Sequence, residues 1–355
     1  MVYVSNREDY ISRIAGVIKN YRKHELAYAL NEEHVQRWVS QFEHKEQEIV
    51  LQETCNLLEK CYFKKKQVKE FLLEVIQSSE LWGDGDIGEE IQHTQFLKIQ
   101  NKGSSQAKLL KLLKPIVEER YGFALSCNEN KNTTRYIYLD DCLFSGNTLR
   151  RDIERWIPDA KDGTLLDIIF LSAYSSGEYY IAKKVLNNIC TAKGINYRIW
   201  SLKRFNNFPN DRYKYDCLWP KQIEDENVTS FIKVLEEYAE KNTWPIRTFR
   251  EREYDSELFT DNKSREIFEQ AMLKAGSYIY FCCQNPNASM KPLGYDFFNS
   301  LGFGAFFATF NNISNNSPLA FWWGDPFADI GHPFRKWYPL LPRRGNTPRG
   351  EINAW

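Results

Sequence analysis

Two adjacent carboxylates, Asp140 and Asp141, lie between a strand-like run and a loop of small polar residues. The run before them, Tyr136–Leu139, is rich in aromatic and β-branched residues, which predicts a strand, and a helical pattern of apolar residues follows the loop. Backbone N–H groups at the start of that helix, together with the hydroxyls of Ser145 and Thr148, can surround a phosphate group near the positive end of the helix dipole. The two carboxylates can accept hydrogen bonds from vicinal hydroxyls or bind a divalent cation. This order of residues predicts a site for a sugar phosphate.

The same loop can also be interpreted as an ordinary turn between a strand and a helix. In that case Asn147 or Thr148 would cap the helix and no ligand would be involved. Gly146 fits both interpretations, because glycine permits a tight turn and also lets the backbone approach a ligand closely. The strand before the loop and the helix after it favour the phosphate site.

The stretch from Tyr136 to Thr148 resembles the phosphoribosyl-diphosphate (PRPP) signature of the type I phosphoribosyltransferase fold. In that signature, several apolar residues precede two acids, two apolar residues and a variable position. A small residue, a glycine, any residue and a threonine complete it. Every class is matched here without a gap.

This resemblance implies an α/β fold in which a type I phosphoribosyltransferase-like parallel sheet is flanked by helices. It also implies that PRPP, or a related nucleotide with a ribose 5-phosphate group, binds together with Mg²⁺. Asp140 and Asp141 would be catalytic, holding the ribose hydroxyls directly or through water or metal, and we expect both to face solvent. The residues that would hold the 5′-phosphate are Phe144, Ser145, Gly146, Asn147 and Thr148.

A second loop, Asn101-Lys102-Gly103, follows the strand-like run Thr94–Gln100. A lysine on a tight glycine turn is suited to neutralising the charge of departing pyrophosphate. In the resembled family such a turn has this role, often with a non-proline cis peptide before the lysine, which would here join Asn101 to Lys102. The resemblance therefore implies a catalytic role for Lys102 and a substrate contact for Gly103. The alternative is a plain β-turn with an exposed lysine.

Two features depart from the family pattern. Purine-salvage members have an acid at the variable loop position, where this chain has Phe144. Fewer than forty residues separate the Lys102 loop from the acidic pair, which leaves little room for a long closing hairpin, although the polar stretch Gly122–Thr134 could be a short remnant of one. A third loop, Tyr174–Glu178, could contact a base or ribose, or could simply cap a helix.

Strands and helices alternate through the centre of the chain. Strand-like runs at Leu165–Leu171 and Tyr197–Leu202 follow those already described, and helices are expected at Asn147–Trp156 and Tyr179–Ile189. Strands separated by single helices predict a parallel sheet, with ligands beyond the carboxyl ends of the strands. We therefore expect three regions: a helical N-terminal layer (1–90), the α/β core (91–243) and a C-terminal cap (244–355).

The C-terminal region is rich in Gly, Asn and aromatic residues. Ser264–Ala275 is expected to be helical and Tyr278–Cys283 to be a strand. Later blocks of this region resemble the tail of a bacterial group of phosphoribosyltransferase-like proteins associated with genetic-conflict and phage-defence loci. The aromatic residues could stack on a base, or form a hydrophobic cap that stabilises the edge of the sheet.

Composition narrows the range of function classes. The chain has 355 residues, 47 basic and 47 acidic side chains, and therefore no net charge, which argues against a dedicated, sequence-blind nucleic-acid binder. No secretory signal and no run of apolar residues long enough for a membrane span are evident. The eight cysteines are scattered without a zinc-like spacing, which indicates reduced thiols in a cytoplasmic protein.

Three functions remain open. The first is an enzyme that transfers or hydrolyses at ribose C1 of PRPP, acting by positioning, charge neutralisation and exclusion of water. The second is a sensor that binds PRPP or a nucleotide without turnover and gates a partner protein. The third is a defence effector whose acceptor is a nucleotide or RNA delivered by a partner, such as a protein encoded in the same defence locus. On any of these, nucleic acid would be reached only through that partner.

Overall fold

The computed structural model describes residues 6–101, 103–128, 133–208, 213–242 and 245–343. The chain forms two compact units: unit 1 comprises Met1–Lys64 and Asp211–Trp355, and unit 2 comprises Lys65–Asn210. Unit 2 is thus one continuous segment, and unit 1 is assembled from the segments on either side of it. The expected three-region division stays a prediction.

The first segment of unit 1 is helical. Its elements are α1 (Asn6–Ile18), α2 (Glu32–Val39), α3 (Gln47–Cys61) and the short strand β1 (Tyr62–Phe63). Helix α2 begins where the side chain of Asn31 accepts a hydrogen bond from the backbone N–H of His34, an N-cap that satisfies an otherwise unpaired donor.

Unit 2 begins with three helices, α4 (Lys65–Gln77), α5 (Ser79–Trp82) and α6 (Ile87–Gln92). Four strands then form an entirely parallel sheet in chain order: β2 (Thr94–Leu97), β3 (Arg135–Leu143), β4 (Leu165–Tyr174) and β5 (Asn196–Phe205). The helices between them are α7 (Ser105–Tyr121), α8 (Asn147–Trp156), α9 (Ser175–Tyr180) and α10 (Asn187–Thr191), with a π-helical stretch, Ile181–Leu186, joining the last two. The predicted parallel α/β core is confirmed.

Strand β2 is shorter than predicted and ends at Leu97. The backbone N–H groups of Ile99 and Gln100 instead donate to the side-chain oxygen of Gln106, at 2.7 and 3.1 Å. A side chain of α7 therefore replaces the neighbouring strand as hydrogen-bond acceptor, and the chain leaves the sheet as a loop.

One face of the sheet packs on α8 and on the helices that follow β4. Tyr136 and Tyr138 of β3 and Phe170 of β4 lie in this core beside Ile153 and Trp156 of α8. Ile137 and Leu139, equally buried, alternate with the two tyrosines and point to the opposite face. Helix α7 contacts β3 and α4. Helix α8 is thus firmly seated on the sheet, and its first turn lies at the carboxyl end of β3.

The second segment of unit 1 contains α11 (Glu226–Asn242), α12 (Asn262–Cys282), β6 (Ala308–Thr309), β7 (Asn312–Ile313) and α13 (Leu319–Trp322). Strand β6 pairs with β1 in parallel and with β7 in antiparallel orientation. The expected strand at Tyr278–Cys283 is wrong, because α12 runs through Cys282. Its buried positions Met272, Ala275, Ile279 and Cys282 recur every three or four residues, so helical burial overrides the strand-like composition.

Most of the aromatic residues near the end of the chain are buried within unit 1. Phe321, Trp322 and Trp337 are at most 5% exposed. The indole N–H groups of Trp38 and Trp337 both donate to the carbonyl oxygen of Ala320, at 2.9 and 2.8 Å. These aromatic side chains form a core rather than a surface for stacking on a base. Across the described residues, none of the helices combines the length and the apolarity needed to cross a lipid bilayer.

Candidate functional site

The loop between β3 and α8 presents an open helix N-terminus. Gly146 is the N-cap residue, with φ of +83°, a left-handed conformation that favours glycine. Among the described residues, no side chain caps this helix. The cap by Asn147 or Thr148 that the ordinary-turn interpretation expects is therefore not formed, and the phosphate site itself stays a prediction. The free N–H groups of the first turn and the positive end of the dipole are available to an anion.

Two glycines let this loop pack closely against α9 and the π-helical stretch that follows it. A Cβ atom at Gly146 would lie 2.5 Å from Cγ1 of Ile181, and one at Gly177 would lie 1.7 Å from the carbonyl oxygen of Phe144. Both distances are far shorter than van der Waals contact, so a larger residue at either position would displace the loop. The third predicted loop is accordingly the first turn of a helix that supports residues 144–148, the predicted phosphate loop (called the phosphate loop below).

Asn207, after β5, fixes the start of α9. Its side-chain oxygen accepts hydrogen bonds from the Ser176 backbone N–H at 2.9 Å and the Ser175 hydroxyl at 3.3 Å. Its own backbone N–H donates to the Ser175 oxygen at 3.1 Å. The ends of β4 and β5 are thus tied together beneath the loop.

Phe144 occupies the variable loop position, and its ring packs inward. It stacks on Tyr174 with ring centroids 5.3 Å apart, and Tyr174 packs in turn on Phe205 at 5.0 Å. These residues follow or end three neighbouring strands. An acid that could serve a purine base is absent at this position, and the residue there consolidates the ends of the strands instead.

Asp140 is buried, with 5% of its surface exposed, so the expectation that both carboxylates face solvent is wrong for this residue. One carboxyl oxygen accepts hydrogen bonds from the Ser105 hydroxyl and the Asp141 N–H, and the other from the Gln100 side-chain amide and the Tyr138 hydroxyl. Burial, reinforced by the neighbouring charge of Asp141, raises the pKa of Asp140 to about 8. Asp140 therefore anchors the loop between β2 and α7 inside the protein.

Asp141 is the more accessible member of the pair. It is half-buried, and one of its carboxylate oxygens accepts a hydrogen bond from the Cys142 N–H at 2.9 Å. Burial is the largest influence on its pKa, which lies above the ordinary value, while the positive charge of Lys108 on α7 opposes this increase. Asp141 is thus the more exposed of the two carboxylates.

A third carboxylate, Asp152 of α8, completes the buried network and was missed by the sequence reasoning. It accepts hydrogen bonds from the Tyr138 hydroxyl at 3.0 Å, from Arg155 at 2.7 Å and from the backbone N–H of Asn101. The Asn101 contact links the first residue of the predicted pyrophosphate loop to α8. Asp152 could have been found from the sequence, because it is an acid on the otherwise apolar helix face of Leu149, Ile153 and Trp156. Nothing comparable in the sequence distinguishes Gln100 or Ser105.

The pyrophosphate loop is described only in part. Gly103 is exposed and has a φ of +94°, consistent with a tight glycine turn. Lys102 lies outside the described residues, as does the peptide bond that joins it to Asn101. The structure thus places Gln100 beside Asp140 and Asn101 beside Asp152, and the role of Lys102 stays a prediction.

The donor set suits Mg²⁺ only if a ligand contributes oxygens. In the described part of the chain, no group of three or more His, Cys, Asp or Glu side chains is arranged to hold a metal ion. Asp140 is already committed to protein donors, whereas Asp141 has an accessible carboxylate. Since Mg²⁺ usually keeps several waters and binds one or two carboxylates plus substrate phosphates, Asp141 fits as a single protein ligand.

Comparisons with known proteins bear on this site. A solved structure of the AQ2163 protein from Aquifex aeolicus is similar to the chain at 14% identity, over 53% of this chain and 90% of that one, with a TM-score of 0.27. A likeness at this level carries no argument. No protein with a curated description matches the chain. The model of the PRTase-CE family matches residues 35–343, which include the sheet, the acidic pair and the phosphate loop. The chain therefore belongs to PRTase-CE, a phosphoribosyltransferase-type family.

Proposed function

We propose that the chain binds PRPP, or a nucleotide with the same ribose 5-phosphate group, together with Mg²⁺, and transfers or hydrolyses the bond at ribose C1. The family supports a phosphoribosyltransferase-like function and a ribose phosphate-type ligand. The observation that carries the proposal is the uncapped N-terminus of α8 beside the accessible carboxylate of Asp141.

In this proposal each loop has a separate task. The N–H groups of Asn147 and Thr148, with the Ser145 and Thr148 hydroxyls, hold the 5′-phosphate. Asp141 accepts hydrogen bonds from the ribose hydroxyls and contributes an oxygen to Mg²⁺, which supplies positive charge to the diphosphate. Lys102 adds a second positive charge where pyrophosphate departs.

Asp140 has an indirect role in this scheme. Its hydrogen bonds to Gln100 and Ser105 fix the two ends of the loop that carries Lys102. Asp152 fixes the same loop through Asn101. Neither carboxylate needs to touch the ligand, because each positions the loop that does.

A sensor that binds the same ligand without turnover is the second candidate. The inward packing of Phe144, in the place of the acid that serves purines, favours it. Incubation of the pure protein with PRPP, Mg²⁺ and pooled bases or nucleotides, followed by mass spectrometry, separates the two. Pyrophosphate release with a new N-glycoside, or with free ribose 5-phosphate, supports the enzyme, whereas tight PRPP binding without product supports the sensor.

Lys102→Ala sharpens this test. If the lysine stabilises departing pyrophosphate, the variant loses more turnover than PRPP affinity, and ribose 5-phosphate binds it as well as it binds wild type. A sensor has no turnover to lose, and the variant then changes PRPP affinity alone. Unchanged pyrophosphate release and unchanged PRPP affinity would remove Lys102 from the site.

A role in bacterial anti-phage defence, with a protein partner encoded in the same locus, is supported by the resemblance of the C-terminal region. Any nucleic-acid contact would then come through that partner. Plaque assays on cells that carry the whole locus test this role, with Asp141→Asn as the variant. Equal plaque numbers with wild type, the variant and an empty vector would exclude it.

A further inference from the structure

Unit 1 contains a cleft, and none of its lining residues belongs to the candidate site of unit 2. Its volume is about 300 Å³. It lies between the end of α2 and the segment near Trp337. Its lining residues are Arg37, Ser40, Gln41, Pro326, Arg335, Trp337 and Tyr338. Two arginines and no carboxylate thus line one concave surface.

Neither guanidinium is neutralised by the protein around it. Within the described ranges, the side chains of Arg37 and Arg335 form no ion pair and no hydrogen bond with a protein group. The one described contact is a cation–π interaction, in which the Arg37 guanidinium lies 4.1 Å from the centroid of the Tyr338 ring. The cleft therefore carries two positive charges with free N–H donors.

The Tyr338 ring beneath Arg37 is held rigidly. Its backbone N–H donates to the Gln41 side-chain oxygen at 2.7 Å, and its carbonyl oxygen accepts from the Gln41 amide at 2.9 Å. Nε2 of His34 lies 2.8 Å from the Leu340 carbonyl oxygen, which can only accept, so Nε2 carries the proton. Nδ1 then accepts from the Tyr338 hydroxyl at 2.7 Å. Gln41 and His34 thus fix both ends of the residue on which Arg37 rests.

We propose that this cleft binds a small phosphate ester of nucleotide size. A guanidinium presents its donors in a planar fork that matches phosphate oxygens, and two forks match the charge of a phosphate dianion. The volume is at the lower end of the range for small-molecule sites, which fits a mononucleotide rather than an extended chain. This site is independent of the proposed function at α8, because its residues belong to another unit.

Calorimetry on the full chain with AMP as the probe tests the proposal. Five proteins are compared: wild type, Arg335→Gln, Arg37→Gln/Arg335→Gln, Gly146→Val and Arg252→Gln. The last removes one charge from an exposed arginine of unit 1 outside the cleft. Arg335→Gln leaves the Arg37–Tyr338 contact intact, so a loss of binding in that variant does not come from a disturbed ring.

Binding at the cleft should weaken about 10-fold in Arg335→Gln and about 100-fold in the double variant, because each arginine forms a charge-assisted hydrogen bond. Arg252→Gln and Gly146→Val should retain it. An equal loss of AMP affinity in Arg252→Gln, or unchanged AMP affinity in the double variant, would overturn the proposal. If only Gly146→Val abolishes AMP binding, AMP binds at α8 and the cleft proposal is wrong. If only the double variant abolishes it, AMP binds in the cleft and the proposed phosphate site at α8 is wrong.

Discussion

Gly177 and the backbone of Phe144 are in direct contact, because a Cβ atom on Gly177 would lie 1.7 Å from the Phe144 carbonyl oxygen. The phosphate loop therefore packs on the first turn of α9, and it can approach this closely because Gly177 has no side chain. This contact joins two strand ends that are distant in sequence. It makes the geometry of the loop sensitive to a single methyl group.

Gly177→Ala should move the phosphate loop and weaken ribose 5-phosphate binding. Because the added methyl meets backbone that cannot rotate away, we expect a loss of about 1–3 kcal/mol in the free energy of unfolding. Urea denaturation and calorimetry measure the two effects. Gly16→Ala is the matched control: α1 has free space at Gly16, so this variant should gain about 0.5–1 kcal/mol. Unchanged stability and affinity in Gly177→Ala would contradict the contact.

Asp141→Asn should weaken binding of ribose 5-phosphate by roughly 10- to 100-fold, which corresponds to a lost charge-assisted hydrogen bond. The fold should be retained, since Asp141 is half-buried and its hydrogen bond from Cys142 can also be accepted by an amide oxygen. Calorimetry in the presence and absence of Mg²⁺ measures the change. Equal affinities of the variant and wild type would remove Asp141 from the ligand site.

Asp140 predicts a pH dependence of stability. Its pKa is raised to about 8, so the folded protein keeps a proton that the unfolded chain has already lost above about pH 4. The free energy of unfolding should therefore decrease as the pH rises from about 4 to about 8. Asp140→Asn should reduce that slope in denaturation experiments across this range. A slope identical to that of wild type would show that Asp140 is ionised in the folded protein.

His34 predicts the opposite dependence for unit 1. Burial lowers the pKa of His34 to about 4, so the unfolded chain takes up a proton below about pH 6.5 that the folded protein does not. Stability from this residue should fall as the pH drops from about 6.5 to about 4, by on the order of 3 kcal/mol. His34→Gln should show a weaker dependence in acid-range denaturation. His24→Gln, at an exposed position, is the control and should behave as wild type.

Tyr138→Phe should loosen the loop between β2 and α7. The Tyr138 hydroxyl lies 3.0 Å from a carboxyl oxygen of Asp152 and 3.3 Å from one of Asp140, and these two side chains anchor Gln100, Asn101 and Ser105. We expect a loss of about 1–3 kcal/mol in the free energy of unfolding, because the buried carboxyl pair loses the one proton that the hydroxyl supplies. Hydrogen exchange at the Asn101 and Gln106 amides should accelerate more than exchange in β4. Uniform acceleration across the sheet would indicate general destabilisation instead.

The sequence allowed the parallel sheet to be predicted, because the strand-like runs Tyr136–Leu139, Leu165–Leu171 and Tyr197–Leu202 are separated by helical patterns. It did not show which carboxylate of the pair faces inward. Adjacent residues on a strand point to opposite sides, and the choice depends on donors such as Gln100 and Ser105, which lie far from Asp140 along the chain. Local pattern carries no record of such partners.

The strand predicted at Tyr278–Cys283 was wrong for a related reason. Tyrosine, isoleucine and phenylalanine favour strands in a short window, but burial along α12 follows the helical period that begins near Phe268. Helix α12 also packs closely on Pro292, because a Cβ atom at Gly276 would lie only 2.3 Å from the Pro292 carbonyl oxygen. A short stretch of sequence around Gly276 does not reveal this contact.

The pairing of β1 with β6 has a consequence for how the chain is made. Tyr62 pairs with Ala308, so the small sheet of unit 1 can form only after the ribosome has translated all of unit 2 and the chain beyond it as far as Ala308. Unit 2 pairs each strand with the next one to emerge and can fold during synthesis. Helix α3 must meanwhile wait for α12, its later partner, with apolar residues uncovered. The first segment of unit 1 is thus translated before unit 2 but can complete its packing only after unit 2 has been made.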